Sequence, residues 1–333
     1  MEPIDLAAGR LDFDGVDPEV GMHLLSVFWN RQHASGLVVY RPAFMRDMAC
    51  NGPYFSKLLL NAIFFSASKN SPRTEFRCSG VVTDMPTVIS PFRERAEELL
   101  ATSTSGLPTR MKSDITTIQA LLIMSEALFA WCDERSLSWL YSGLAINMIV
   151  DLGIHTDRRT PAMTKTLTSE DLEIRRRLFW AAFGMSPLSL ATWCLLTRCT
   201  VQDKVQSIYQ GRPARLREQD VNIPISFMDD YEELDQFTSL SYSREEISMS
   251  FPTRSVSVFE QLCKLSIIMD RILSGIYAEN CSSKGTSHLL NTARSLHQDL
   301  EDWRKALPEH LNMNLDISNN PPLTPHALSL MLV

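Results

Sequence analysis

The feature that most narrows the fold is a pair of long segments whose apolar residues recur at helical spacing across a short polar break. In SDITTIQALLIMSEALFAWC (113–132), Ile115, Ile118, Leu121, Leu122 and Leu128 fall on one stripe of a helix. Ser113 is the expected N-cap, and Asp114 lies in the first turn, where a negative charge meets the positive end of the helix. The partner, SLSWLYSGLAINMIVDLG (136–153), ends at Gly153, a residue that takes the left-handed C′ conformation without steric cost. Two such helices joined by a few residues predict an antiparallel hairpin.

The same period runs through the rest of the chain. Val20, Leu24, Leu25 and Phe28 mark an early helix. Pro42 forces a turn or a helix start, because proline donates no N–H and restricts the residue before it. PYFSKLLLNAIFFSASK (53–69) reads as a buried helix opened by its proline, and 92–103 as a short amphipathic one. Residues 71–91, broken by Pro72, Gly80 and Pro86, read as a loop. Thr168, followed by Ser169, Glu170 and Asp171, opens EDLEIRRRLFWAAF (170–183), and two further helices are expected over 256–277 and 287–306. The acidic, polar stretch 229–254 reads as a flexible surface segment. No alternating strand pattern and no fixed-period repeat is present. The expected class is all-α: a multi-helix domain, orthogonal and antiparallel, with irregular loops.

Charge and cysteines then exclude functions. With 333 residues and 44% hydrophobic side chains the chain can bury a sizeable core. Its formal charge of −7, from 32 basic against 39 acidic side chains, gives no basic excess with which to grip nucleic acid. The seven cysteines contain no C-x-x-C pair and make no disulfide framework, which suggests a reducing, intracellular setting. The start, MEPIDLAAGRLDFDG, lacks a secretory signal. No apolar run of membrane-spanning length is evident, the longest candidate being 188–197, so no membrane partner is expected.

Three stretches taken together resemble the fungal-specific transcription factor domain, the middle homology region of zinc-cluster regulators. VFWNRQHASGLVVYRPAFMRD (27–47) is similar to its opening helix, turn and hydrophobic-x-R-P-x-F element, here with Arg41, Pro42 and Phe44. GLAINMIVDLGIHTD (143–157) is similar to its A-x-x-M-A-x-D-L-G-L-H helix end, here with Gly153 and His155. EIRRRLFW (173–180) and GRPARLREQDVNIPI (211–225) resemble its E-x-R-R-R-x-F-W, G-R-P and D-V-x-x-P elements, here with Arg176, Trp180, Gly211, Arg212, Pro213, Asp220 and Pro224. The resemblance spans roughly 20–225. It implies an all-helical regulatory domain of a nuclear protein that controls transcription of pathway genes. The organisation expected from it is an acidic segment (1–19), the regulatory domain (20–228), the polar loop (229–254) and a C-terminal helical part (255–333) cut short at LSLMLV.

Two departures from the pattern shape the expectations. A zinc cluster needs six closely spaced cysteines beginning C-x-x-C, and nothing here builds one, so no cofactor is expected in this chain. DNA would be reached only through an attached zinc-cluster module absent here, and the partners implied are co-regulator proteins, a homodimer or a small-molecule effector. The segment 184–202 intervenes where the pattern joins Phe183 to Asp203, and reads as an insert, retained intron sequence being one origin.

Each remaining candidate has a plain structural role beside the functional one. Arg175, Arg176 and Arg177 point about 100° apart around a helix, which suits a solvated face and internal ion pairs better than a phosphate clamp. Phe179 and Trp180 suit a core. Gly211, Arg212 and Pro213 fix a tight turn, with Asp220 one conceivable partner for Arg212. His155 has no second ligand at metal spacing and is expected to cap the last carbonyls of its helix. Asp229, Asp230 and Glu233 resemble the aspartate-rich box of all-α prenyl-diphosphate enzymes, but a second box is missing and one box cannot clamp a diphosphate from two sides. No nucleophile elbow, P-loop or H-E-x-x-H motif occurs, so no enzyme is expected. The alternative to a regulatory domain is a helical interaction scaffold.

Overall fold

The two long apolar segments do form a hairpin, and it is the spine of the first half of the chain. The computed structural model describes residues 2–31, 37–71, 73, 90–102, 108–156, 167–184, 215–218, 222–229, 231–238, 250–277 and 285–311. These divide into two compact units, residues 1–154 with 238–249 and residues 155–237 with 250–333. The division at Ile154 and His155 falls inside the stretch 20–228 that the sequence presents as one domain.

The first unit contains α1 (Glu2–Ala7), α2 (Pro18–Arg31), α3 (Arg41–Cys50), α4 (Lys57–Asn70), α5 (Pro91–Ala101), a 3-10 turn at Thr109–Met111, α6 (Ile115–Cys132) and α7 (Arg135–Asp151). α6 turns into α7 through Asp133, which takes φ 54° and stops the first helix. The seam between them is held by small hydroxyls: Ser125 Oγ donates to the Ser138 carbonyl (2.7 Å), and Ser138 Oγ donates to the Ser125 carbonyl (2.8 Å). Both serines are fully buried, so each hydroxyl finds its partner on the facing backbone and the helices lie close. The N-cap of α6 is Asp114 rather than Ser113, because the extended residue is one position later; Thr116 Oγ1 donates to its carboxylate at 2.7 Å.

α6 also corrects the membrane expectation drawn from run length. Among the described residues it is one helix long and apolar enough to span a bilayer, yet 72% of it is buried inside the protein. Its apolarity is spent on α4 and α7, as in the core helix of a globular unit. α4 is buried from Leu58 to Phe65 and begins at Lys57, with Ser56 Oγ accepting from the Leu59 amide (3.1 Å). The expected proline opening at Pro53 is therefore replaced by a serine cap, and Pro53 lies in the preceding turn. Asp14 ties α4 to α5, accepting from Arg95 Nε (2.9 Å) and Asn61 Nδ2 (3.0 Å) with Lys57 Nζ at 3.1 Å.

The second unit contains α8 (Ser169–Gly184), all of β1 (Gln236–Thr238) but its last residue, β2 (Ser250–Pro252), α9 (Ser255–Gly275) and α10 (Thr286–Lys305). A reciprocal cap opens α8: Thr168 Oγ1 accepts from the Asp171 amide (3.1 Å), and Asp171 Oδ2 accepts from the Thr168 amide (2.7 Å). α9 packs on both α8 and α10. Leu300 and Trp303 of α10 cover Val258, Leu262 and Leu265 of α9 together with Leu311. The segment expected to be a flexible loop, 229–254, is ordered where it is described. Glu232 is buried in it, and β1 and β2 pair as a two-stranded sheet too short to show an alternating pattern. Among the described residues the fold is all-α apart from this pair.

Candidate functional site

The densest chemistry among the described residues lies on α8, in the block that reads EIRRRLFW. Helical spacing puts Glu173, Arg177, Trp180 and Ala181 on one inward face. Arg177 is 0% exposed, as is Glu173. Arg177 Nε donates to Glu173 Oε1 (2.7 Å), and its two terminal nitrogens donate to both oxygens of Glu232 (2.6 Å each). A further bond from Nη2 reaches the Met228 carbonyl at 2.7 Å. Burial works against the charge on Arg177, but the bonds it donates to Glu232 and then to Glu173 outweigh it and hold the guanidinium protonated above its ordinary range. Bidentate pairing of this kind fixes direction as well as charge.

The site extends along an extended strap, residues 222–229. Trp180 Nε1 donates to the Pro224 carbonyl (3.3 Å), Arg176 Nη1 to the Ser226 carbonyl (3.2 Å) and Arg177 to the Met228 carbonyl. Alternate carbonyls of the strap thus meet donors from a single turn of α8. Glu232 then carries the link onward, its own carbonyl accepting from Thr253 Oγ1 (2.7 Å) and Ser255 Oγ (2.8 Å) at the start of α9. Phe179, Trp180 and Phe183 form an aromatic cluster with centroids 5.4 to 5.8 Å apart. Beside it a cleft of about 390 Å³ is lined by Trp180, Phe183, Glu218, Ile223, Pro224 and Ile267. That volume lies at the small end of the roughly 300–1,000 Å³ usual for ligand sites. Its one acid, Glu218, is held below the usual carboxylate range by hydrogen bonds from Arg271.

The sequence-selected residues fall into separate places. Arg41, Pro42 and Phe44 open α3 in the first unit, Pro42 in the first helical turn with Tyr40 as N-cap. Phe44 is fully buried, edge-on to Trp29 and Phe55 (5.7 Å each), and the Arg41 guanidinium lies 5.7 Å over the Trp29 ring. Gly153 takes φ 64° at the C′ position of α7. The Ile154 amide bonds the Ile149 carbonyl and the Gly153 amide the Val150 carbonyl, each at 3.0 Å, which is the Schellman arrangement. Those amides do the capping expected of His155, whose Nδ1 is instead buried with no hydrogen-bond partner. Arg176, Trp180 and Pro224 do come together at the strap. Gly211, Arg212, Pro213 and Asp220, and the suspected insert from 185 to 202, lie outside the described residues.

Two features escaped the sequence reading. Arg177, not Arg176, carries the buried charge; the i,i+4 spacing from Glu173 and the apolar Ile174, Leu178 and Ala181 on the same face were the available signal. Glu232 had no local signal, since its partner is 55 residues away. The acidic box is taken up structurally. Asp229 Oδ1 accepts from the Glu233 amide (3.1 Å), and the Glu233 carboxylate accepts from the amide (3.1 Å) and hydroxyl (2.6 Å) of Ser257 in the first turn of α9. Asp230 lies outside the described residues.

Comparison with known proteins shows what the chain is similar to. Residues 25–185 match the profile described as the fungal specific transcription factor domain, a stretch that runs from within α2 to the end of α8. The chain is 27% identical over 304 residues to the nitrogen assimilation transcription factor nit-4 of Neurospora crassa, covering 88% of this chain and 25% of that protein. It is 26% identical to an uncharacterized transcriptional regulatory protein of Schizosaccharomyces pombe, covering 87% of this chain and 42% of that one. It is 23% identical to the nitrogen assimilation transcription factor nirA of Emericella nidulans, covering 89% and 30%. The chain thus spans between a quarter and about two-fifths of the length of these relatives. No solved structure gives a significant match. Residues 25–185 are thus similar to the fungal specific transcription factor domain, and the relatives named here are fungal transcription regulators.

Proposed function

We propose that this chain is the regulatory, non-DNA-reading part of a nuclear fungal transcription factor and modulates transcription of pathway genes through an attached DNA-binding module. The supporting observation is that proteins named as transcription regulators align with nearly nine-tenths of the chain, across both the matched domain and the helices beyond it. The net charge of −7 agrees with a part that does not itself hold DNA. Zinc, in this reading, belongs to the DNA-binding module. The described cysteines do not fit it: Cys50, Cys132 and Cys263 lie on α3, α6 and α9, and Cys263 is buried with its thiol pushed up by desolvation. Co-regulator proteins or a second copy are the partners proposed, and a small apolar molecule in the α8 cleft is the effector class.

The test is a fusion. The chain is inserted between an unrelated DNA-binding domain and a constitutive activation domain, and reporter output in a fungal host is compared with that of the fusion lacking it at equal protein level. A changed output supports a modulating domain. Identical output overturns it, and retained protein binding in that case would favour the scaffold alternative.

A further inference from the structure

Arg177 has more acid around it than one guanidinium needs. Glu173 belongs to the same helix, four residues away, whereas Glu232 belongs to the far end of the strap. Among the three buried groups there are two carboxylates and one cation, and Glu173 Oε2 makes no hydrogen bond. Arg176 reaches toward that oxygen only to 3.8 Å, from a side chain 25% exposed to solvent. Two like charges sharing one partner in a poorly solvated place repel. Glu232 already satisfies both terminal nitrogens of Arg177, so Glu173 adds one bond, to Nε, together with a second full negative charge.

We propose that residues 222–229, with Glu232 as the latch, form a releasable strap, and that Glu173 is the residue that permits release. When the strap lifts, Arg177 loses Glu232 and Met228 but keeps Glu173, so its charge is never left buried and unpaired, the condition that makes breaking a buried pair costly. The closed state carries the Glu173–Glu232 repulsion and the open state does not. Lifting also withdraws acceptors from Arg176 and Trp180, and it frees the Glu232 carbonyl from Thr253 and Ser255. The opening of the strap therefore reaches the first turn of α9. Glu173 is a positioning residue here, acting through Arg177. The device stands independently of the functional reading above, since it concerns only the second unit.

The test is native-state hydrogen exchange on the full chain, read by mass spectrometry. The reporting amides are Leu234, bonded to the Tyr231 carbonyl, Thr253, bonded to Asp235, and Arg254, bonded to Glu233. Amides in the middle of α9 serve as the internal reference for global stability. E232Q is expected to speed exchange of the reporting amides, relative to that reference, by about tenfold or more. E173Q is expected to slow it by about threefold or more, because the open state leans on the charge of Glu173 more than the closed state does. E173M repeats the measurement should the glutamine variant fold poorly. If E173Q or E173M leaves the ratio unchanged or raises it, Glu173 is an ordinary structural partner and the proposal falls. It falls equally if E232Q leaves the ratio unchanged.

Discussion

Gly153 and Gly52 look alike in the sequence and are required for different reasons, which a set of substitutions can separate. At Gly153, φ is 64° and a Cβ would meet nothing within 4 Å. The whole cost of Gly153→Ala is therefore backbone, about 1–2 kcal/mol for an L side chain held in the left-handed region. Asparagine tolerates that region, so Gly153→Asn should recover most of the loss. At Gly52 the conformation is ordinary, but a Cβ would stand 2.4 Å from Asp47 Cγ. Asp47 is 2% exposed, and its Oδ2 accepts from the Tyr54 amide at 2.8 Å. Gly52→Ala must push that carboxylate off its partner, losing a charge-assisted bond of about 1.5–3 kcal/mol. Asparagine gives no relief there. In an Asp47→Ala background, by contrast, Gly52→Ala should cost less than about 1 kcal/mol, a coupling of about 1–2 kcal/mol. Urea unfolding followed by far-UV circular dichroism, with unchanged slope, measures each difference. The reasoning fails if Gly153→Asn is as harmful as Gly153→Ala, or if removing Asp47 leaves the cost of Gly52→Ala intact.

Other outcomes follow from the first unit. Phe44→Ala empties a fully buried ring site between Trp29 and Phe55, and should cost about 3–5 kcal/mol in the same unfolding assay. Ser125→Leu drives a larger side chain into the α6–α7 seam and removes the bond to Ser138, so a loss of about 2 kcal/mol or more is expected, with α7 amides exchanging faster. Burial raises the Asp14 carboxyl, but hydrogen bonds from Arg95, Lys57 and Asn61 prevail and hold it below its usual value. The sign is then fixed: Asp14 contributes stability above the unfolded carboxylate pKa and loses it as pH falls through the lower folded value. Denaturation midpoints measured from pH 5 down to about 2 should fall less steeply in Asp14→Asn than in the parent.

Legibility followed the distance over which each signal acts. The helices announced themselves through local period and caps, and Thr168 with Asp171 was readable because a capping box spans only three residues. α4 was placed correctly, but its start was not. Pro53 is a strong local signal, and Ser56, three residues on, offered a hydroxyl that satisfies an orphan amide where proline offers none. The membrane question misled in a different way: Thr116, Thr117, Gln119 and Ser125 interrupt α6 enough to hide its overall apolarity, yet all four are buried, and Thr116, Gln119 and Ser125 donate hydrogen bonds to near or facing groups. Arg177 was hidden as one of three consecutive arginines. The i,i+4 spacing from Glu173 and the buried positions around it, at Ile174, Leu178 and Ala181, distinguish it from Arg176. Glu232 was unreadable, because nothing in a polar, acidic stretch indicates which carboxylate a distant arginine will take.

The end of the family match at residue 185 and the end of the folding unit do not coincide. α8 lies inside the match, but the groups that satisfy its buried polar atoms lie beyond it: Glu232, and the carbonyls of Pro224, Ser226 and Met228. Its packing partner α9 begins only at Ser255. A fragment ending at 185 keeps the Glu173–Arg177 pair but exposes Phe179, Trp180 and Phe183, three rings whose burial accounts for several kcal/mol at about 1.5–3 kcal/mol for each large apolar side chain. An isolated helix of this length is marginal in water. The fragment 1–185 should therefore show α6 and α7 amides protected from exchange and α8 amides exchanging as in an unfolded segment, whereas the full chain protects both sets. Equal protection of α8 in the two proteins would mean that the strap and α9 are dispensable to it, and that the match marks a self-sufficient domain after all.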